Sequence, residues 1–199
     1  MSAVKNMNKY ALIKEIHSVP NQQREGLKKI SKAISKDQSL FEPLVEIAFD
    51  YDNDISIKAI ITLEIIVEQH TDWIAYKLAY FTQNISKLKS ESAIKSAAKI
   101  CNLIAKEYTS KYDSPIKLLA THEQISEIIE TCFDWLLSKD LKHGIKANAM
   151  EALFHLGKKI NWVHYELKLI LEKSIENSFN AFTNRAKKIL ALIEKQPIN

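Results

Sequence analysis

Residues 121–137 read THEQISEIIETCFDWLL, and this stretch decides the fold class. Ile125, Ile128, Ile129, Cys132, Phe133, Leu136 and Leu137 recur at the i, i+3, i+4, i+7, i+8 rhythm of one helix face. A strand would alternate with period two. Thr121 stands three residues before Gln124, the spacing of a capping box in which a hydroxyl and a side-chain amide satisfy backbone groups reciprocally. The stretch predicts a helix over 121–138.

The same period continues outward in both directions. Helices are expected at 8–18 and 21–35, separated by Pro20 and Asn21, and after Ser39, where Glu42 offers a second capping box ahead of Leu44, Val45 and Ile47. Others are expected at 55–69 behind Asp54, 72–87 behind Thr71, 91–108 behind Ser90, 145–157 behind Gly144, 162–177 behind Asn161 and 181–194 behind Asn180. Ten helices with short joints make an all-α chain. The one long joint is 109–120, where Tyr112, Asp113, Ser114 and Pro115 interrupt the pattern. It reads as a connector between stacked layers, in a position where a functional loop could also sit.

Composition narrows the class further. The chain has 199 residues, 46% hydrophobic and 26% charged, the balance of one folded globular domain or one short repeat array. Three Gly and four Pro leave little material for hairpins or phosphate-cradling loops. The net charge of +4 is too small to demand a polyanionic partner, and Arg24 and Arg185 are the only arginines, so bidentate reading of phosphates or bases has few candidates. Cys101 and Cys132 form no C-x-x-C pair and sit among apolar neighbours. They read as buried, reduced thiols, which points to a cytoplasmic protein. No stretch approaches the 18 or so apolar residues of a membrane span, and the opening residues hold no signal-peptide core.

Self-similarity is the most specific signal. Ile57-Lys58-Ala59 recurs as Ile145-Lys146-Ala147, 88 residues on. Each is preceded by a Phe-Asp pair, Phe49-Asp50 and Phe133-Asp134, 84 apart, and followed by a Trp-x-x-Tyr step, Trp73 with Tyr76 and Trp162 with Tyr165, 89 apart. A half-period shows in Ile94-Lys95 and Arg185-Ala186. Basic residues thus recur early in every second helix, at Arg24, Lys58, Lys95, Lys146 and Arg185.

Units of two helices, with an Asp in the inner turn and a basic residue six positions later, resemble HEAT-type repeats; here the pairs are Asp52 with Lys58 and Asp140 with Lys146. The resemblance covers about 21–194 and implies a right-handed α-α superhelix, a HEAT or armadillo-like solenoid of about five helix pairs, whose second helices line a concave face and whose Asp-to-basic pairs form a ladder. Lys89 and Phe179 occupy the Asp position in the third and fifth units. One domain over 1–199 is implied, with an N-terminal cap at 1–37, repeats at 38–108, a connector at 109–120 and repeats at 121–199. The phrases FDWL, IKA and AKIC also make the chain similar to a group of short bacterial proteins, some labelled adenylosuccinate lyase. The S-x-x-M-P-x-K-x-N loop that places the catalytic serine of that superfamily has no counterpart here.

No catalytic residues, cofactor or metal site are legible. The six histidines make no H-E-x-x-H and no i, i+4 pair, and His155 and His164, near helix ends, read as solvated or capping side chains. Trp73 and Trp162 read as staples at repeat junctions. The binding candidates are basic: Lys95 and Arg185, which lack an Asp six residues back, extended one turn by Lys99 and Lys188. A row of this kind would suit an acidic partner or phosphate. The expected function is a non-catalytic interaction scaffold whose concave face takes a macromolecular partner, a protein before a nucleic acid. The alternative is a nucleic-acid-binding module akin to HEAT-like alkylpurine DNA glycosylases, with Phe133-Asp134-Trp135 as the nearest cleft motif.

Overall fold

The computed structural model describes residues 8–20, 23–176 and 181–195. Asn21, Phe179 and Asn180, which carry expectations above, lie outside them. Among the described residues there is no strand, and the helices are α1 (Lys9–Ser18), α2 (Arg24–Lys36), α3 (Phe41–Ala48), α4 (Ser56–Gln69), α5 (Leu78–Ile85), α6 (Glu91–Tyr108), α7 (Pro115–Leu119), α8 (His122–Leu137), α9 (His143–Gly157), α10 (Asn161–Glu176) and α11 (Ala181–Glu194). They follow one another as five helix pairs, with α7 as an extra turn inside the 109–120 connector. The chain divides into two compact units, 1–97 and 98–199, and the division falls inside α6 instead of at the connector.

In the first unit, α2 shows a one-sided pattern. Leu27, Ile30 and Ile34 are buried while Lys28, Lys29, Lys32 and Lys36 on the other side are exposed. That is the pattern of a helix packed on one face and solvated on the other. Helix α4 reads IKAIITLEIIV and is apolar nearly all round, because it packs against both α2 and α3. Ile60, Leu63 and Ile66 are wholly buried there, with Leu12, Ile34, Leu44 and Phe81. In the second unit α9 holds the corresponding central place, packed against α8, α10 and α11, with Met150, Leu153 and Leu156 fully buried.

Several local expectations are corrected. The Thr121–Gln124 capping box forms, with both reciprocal bonds present. The Ser39–Glu42 box does not. Asp37 stands two residues earlier and its carboxylate takes both the Ser39 N–H and hydroxyl, so a short 3₁₀ turn precedes α3. Asn53, not Asp54, accepts the Ile55 N–H ahead of α4. The expected helix 72–87 is a 3₁₀ segment, Thr71–Lys77, followed by α5, and Thr71 donates back to Val67 instead of capping. On α8 the inward face is rotated slightly: Trp135 is buried and Leu137 is 58% exposed. Eight apolar residues in sixteen leave the edge of a helical stripe undetermined by about one position.

Candidate functional site

Two buried or half-buried carboxylates organise the second helices, one in each unit. In the first, Glu64 of α4 is 4% exposed and accepts from Arg24 of α2 at 2.7 Å and from the Ser96 hydroxyl of α6 at 2.6 Å. In the second, Glu151 of α9 accepts from Arg185 Nε of α11 at 2.6 Å and from the Asn102 amide of α6 at 2.8 Å. A carboxylate shut away from water needs such donors on both oxygens. Each node therefore ties a second helix to the one before it and the one after it in the chain. Glu64 and Glu151 are 87 residues apart, within the repeat offset read from the sequence.

This arrangement changes the reading of the basic residues. Arg185, expected to be available to a ligand, is engaged by Glu151. Lys188, one turn further along α11, is exposed; Lys95 of α6 is exposed in the first unit and Lys99 is half-buried. The ladder partners also differ from expectation. Lys58 donates to the Val19 carbonyl at 2.6 Å, in the turn between α1 and α2, because its side chain leaves the start of α4 towards that orphan carbonyl. Asp52 and Asp140 lie exposed in their turns, the Asp140 N–H donating to the Ser138 hydroxyl at 3.3 Å. Among the described residues neither Asp52–Lys58 nor Asp140–Lys146 forms an ion pair.

The motif Phe133-Asp134-Trp135 does not line a cleft. Asp134 is exposed, but Trp135 is turned into the core and has no face to offer a base. Cys101 and Cys132 are buried as expected, free and close enough to interact, and burial with the neighbouring Cys132 pushes the Cys101 thiol well up. Among the described residues no cluster of His, Cys, Asp and Glu could hold a metal ion.

The histidine expectation holds in part: His164 meets a last-turn carbonyl of α9, as a capping side chain does, but neither ring is freely solvated. His155 and His164 are half-buried. The His164 ring stacks on Phe154 with centroids 5.6 Å apart, and its Nε2 lies 2.8 Å from the Phe154 carbonyl. Gly157 makes room for it, since a Cβ there would stand 1.9 Å from the ring. Burial and the Lys158 charge push His155 down to about 4. Proximity to helix ends carried no information about how deeply the rings sit.

What sequence reasoning missed is the apolar surface that folding leaves uncovered. In the second unit Trp162 is 53% exposed and Tyr165 is 65% exposed, with Leu169 on the same face of α10 at i+3 and i+7. Trp162 stacks against Phe133 of α8 at 6.1 Å, and Leu137 stands one turn along from Phe133. The Phe133–Trp162 contact joins the apolar residues left uncovered on α8 and on α10. In the first unit Trp73 is better sheltered, stacked on His70 at 4.5 Å and edge-on to Phe41 at 5.6 Å, yet Tyr76, the counterpart of Tyr165, is 68% exposed. The Trp-x-x-Tyr step places both aromatics on one helix face, but nothing in the spacing tells whether that face is covered.

Helix pairs, an 87-residue recurrence of the central carboxylate and paired Trp-x-x-Tyr steps describe a repeat protein. A family model described as HEAT repeat domain matches residues 18–193. The chain belongs to the HEAT repeat family. No curated protein and no solved structure matches it. Among the described residues no helix is long and apolar enough to cross a membrane. In this HEAT repeat chain the Arg–Glu nodes do the tying between helices that the expected Asp-to-Lys ladder would have done.

Proposed function

We propose that this HEAT repeat chain is a non-catalytic interaction scaffold that binds a protein partner. The observation that carries the reading is the set of exposed Leu137, Trp162, Tyr165 and Leu169 beside the half-buried Phe133. Isolated exposed apolar side chains are ordinary, but an aromatic cluster across two helices is the composition of an interface core. Trp and Tyr are also the residues that most often dominate binding energy, because they bury large rigid surfaces at little entropic cost. A protein offers the apolar side chains that cover such a patch; a phosphate backbone does not. The nucleic-acid alternative loses its two best residues, Trp135 to the core and Arg185 to Glu151.

The experiment is affinity capture from native extract with the intact chain and with Trp162→Ser/Tyr165→Ser, followed by mass spectrometry. A discrete protein retained by the first and lost with the second supports the scaffold reading. Retention of the same proteins by both chains, or salt-steep retention on heparin with no protein captured, overturns it.

A further inference from the structure

Helix α8 carries on its open side a charge pattern that its own fold does not use. Glu127, Glu130 and Asp134 stand at i, i+3 and i+7, on one helix face, the first half-buried and the other two exposed. Phe133 and Leu137 lie on the same side, at i+3 and i+7 from Glu130. Through Phe133 this side of α8 meets α10, since the Phe133 ring stacks on Trp162 at 6.1 Å and Trp162 shares a face with Tyr165 and Leu169. Carboxylates and uncovered apolar side chains are thus interleaved along one helix and joined to the next by a ring contact.

The negative charge is uncompensated within the helix. Residues 122–137 hold four acidic side chains and neither Lys nor Arg. Glu123 serves the helix itself: it stands in the first turn, where the dipole favours a negative charge, and its own backbone N–H and Thr121 hold its carboxyl below the usual range. The other three have no such role. Asp134 is in the last turn, where the dipole opposes a negative charge, and like charges three and four residues apart repel. Among the described residues none of Glu127, Glu130 and Asp134 forms an ion pair. Helix α10 does not answer them. Its Lys168 lies 3.8 Å from Glu172 and 3.7 Å from Glu194, Lys173 has an interaction of its own, and Glu166 adds a further exposed carboxylate. The turn beyond Leu137 carries Lys139, Asp140 and Lys142, so the cations nearest in sequence lie past the end of α8 and not along it.

We propose that this face takes a basic amphipathic segment of the partner protein, whose apolar side chains cover Leu137, Trp162 and Tyr165 while its Lys or Arg side chains meet Glu127, Glu130 and Asp134. The proposal rests on the scaffold reading and gives its partner a chemistry. The apolar side chains make the surface, and the carboxylates beside them choose what covers it. Three mutually repelling carboxylates gain most from cations brought between them, and they repel an acidic protein. They repel a phosphate backbone as well, so aromatic rings that could stack on bases stand where a nucleic acid is least welcome. Apolar spacing of three, four and seven residues on both helices matches a segment that presents its own apolar side chains at helical intervals.

The test uses the intact chain and a labelled amphipathic peptide with Leu at helical spacing and Lys on its other side, with fluorescence polarisation as the readout. A second peptide carries Glu in place of every Lys. The Lys peptide should bind at least about tenfold more tightly than the Glu peptide, and its binding should weaken as salt rises. Glu127→Gln/Glu130→Gln/Asp134→Asn should weaken the Lys peptide about tenfold and flatten its salt dependence, with the thermal midpoint unchanged or raised because a repulsion is removed. Trp162→Ser/Tyr165→Ser should weaken it by a similar factor and leave the salt dependence in place. No binding of the Lys peptide, equal binding of the two peptides, undiminished binding by either variant, or a lowered midpoint in the neutralised chain overturns the proposal. Its failure is separable from that of the scaffold reading: a protein captured from extract that depends on Trp162 and Tyr165 but is retained by the neutralised chain leaves the scaffold standing and removes the basic segment.

Discussion

Arg24 and Glu64, 40 residues apart in sequence, meet at 2.7 Å with the carboxylate buried and the guanidinium half-exposed. Ser96 takes the other carboxylate oxygen, so one glutamate of α4 joins three successive second helices of the first unit. Removing the cation would leave a buried charge without the guanidinium that neutralises it. Arg24→Met should therefore destabilise the chain by about 2 kcal/mol, less than the full penalty of a wholly buried pair because Arg24 is partly solvated. Urea unfolding measures it. Glu25→Gln, which breaks the wholly exposed Glu25–Lys28 pair, is the control and should leave the midpoint unchanged.

Gly157 and Gly144 make a paired prediction on α9. A methyl group at 157 would collide with the His164 ring, which is held by Phe154 on its face and at its Nε2. Gly157→Ala should cost about 2 kcal/mol or more, since the ring must leave its stack. Nothing lies within 4 Å of a Cβ at Gly144, so Gly144→Ala should be neutral or stabilising by up to about 1 kcal/mol through helix propensity. Thermal unfolding of the two variants decides between them.

Acid should weaken the second unit before carboxylates titrate. Burial and Lys158 lower His155 to about 4, and burial also lowers His164, so both stay neutral in the fold at a pH where the unfolded chain already binds protons. The unfolded state then holds more protons, and stability falls as pH drops from about 6.5 towards 4. Unfolding midpoints at pH 7.5 and 5.5 should separate for the unaltered chain and converge for His155→Gln/His164→Gln. Equal separation in both chains would show that the two rings are not responsible.

The thiols should be silent. Cys101 and Cys132 are buried, and Cys101 is held well up by burial and by Cys132, so little thiolate is present or accessible. Ellman's reagent should detect no rapid reaction in the folded chain and two thiols in denaturant. Rapid modification of either in the folded chain would contradict the packing of α6 and α8.

The parts legible in the sequence were those set by local periodicity. The face of Ile125, Ile128, Ile129 and Cys132, and the Thr121–Gln124 box, depend on residues within a few positions of each other and formed as read. The misread parts depended on competition or distance. Asp37 outcompeted Ser39 as a cap because a carboxylate two residues earlier is the better acceptor. Lys58 had Asp52 six residues back, yet sequence spacing across a turn does not bring side chains together, and the Val19 carbonyl was nearer. Arg185 and Glu151 are 34 residues apart, so no local rule could pair them. The apolar patch escaped for a related reason: Trp162 and Tyr165 follow a helical period, but the period does not say which face finds a neighbour.

The most direct test of the central claim, that α10 presents a protein-binding face, is photo-crosslinking in native extract with benzoylphenylalanine placed at Tyr165, and with the same group at Lys28 on the lysine-rich face of α2 as the control. The account predicts one discrete protein adduct at position 165, lost when Trp162 is changed to Ser, and none at position 28. No adduct at 165, or the same set of adducts at both positions, would contradict it.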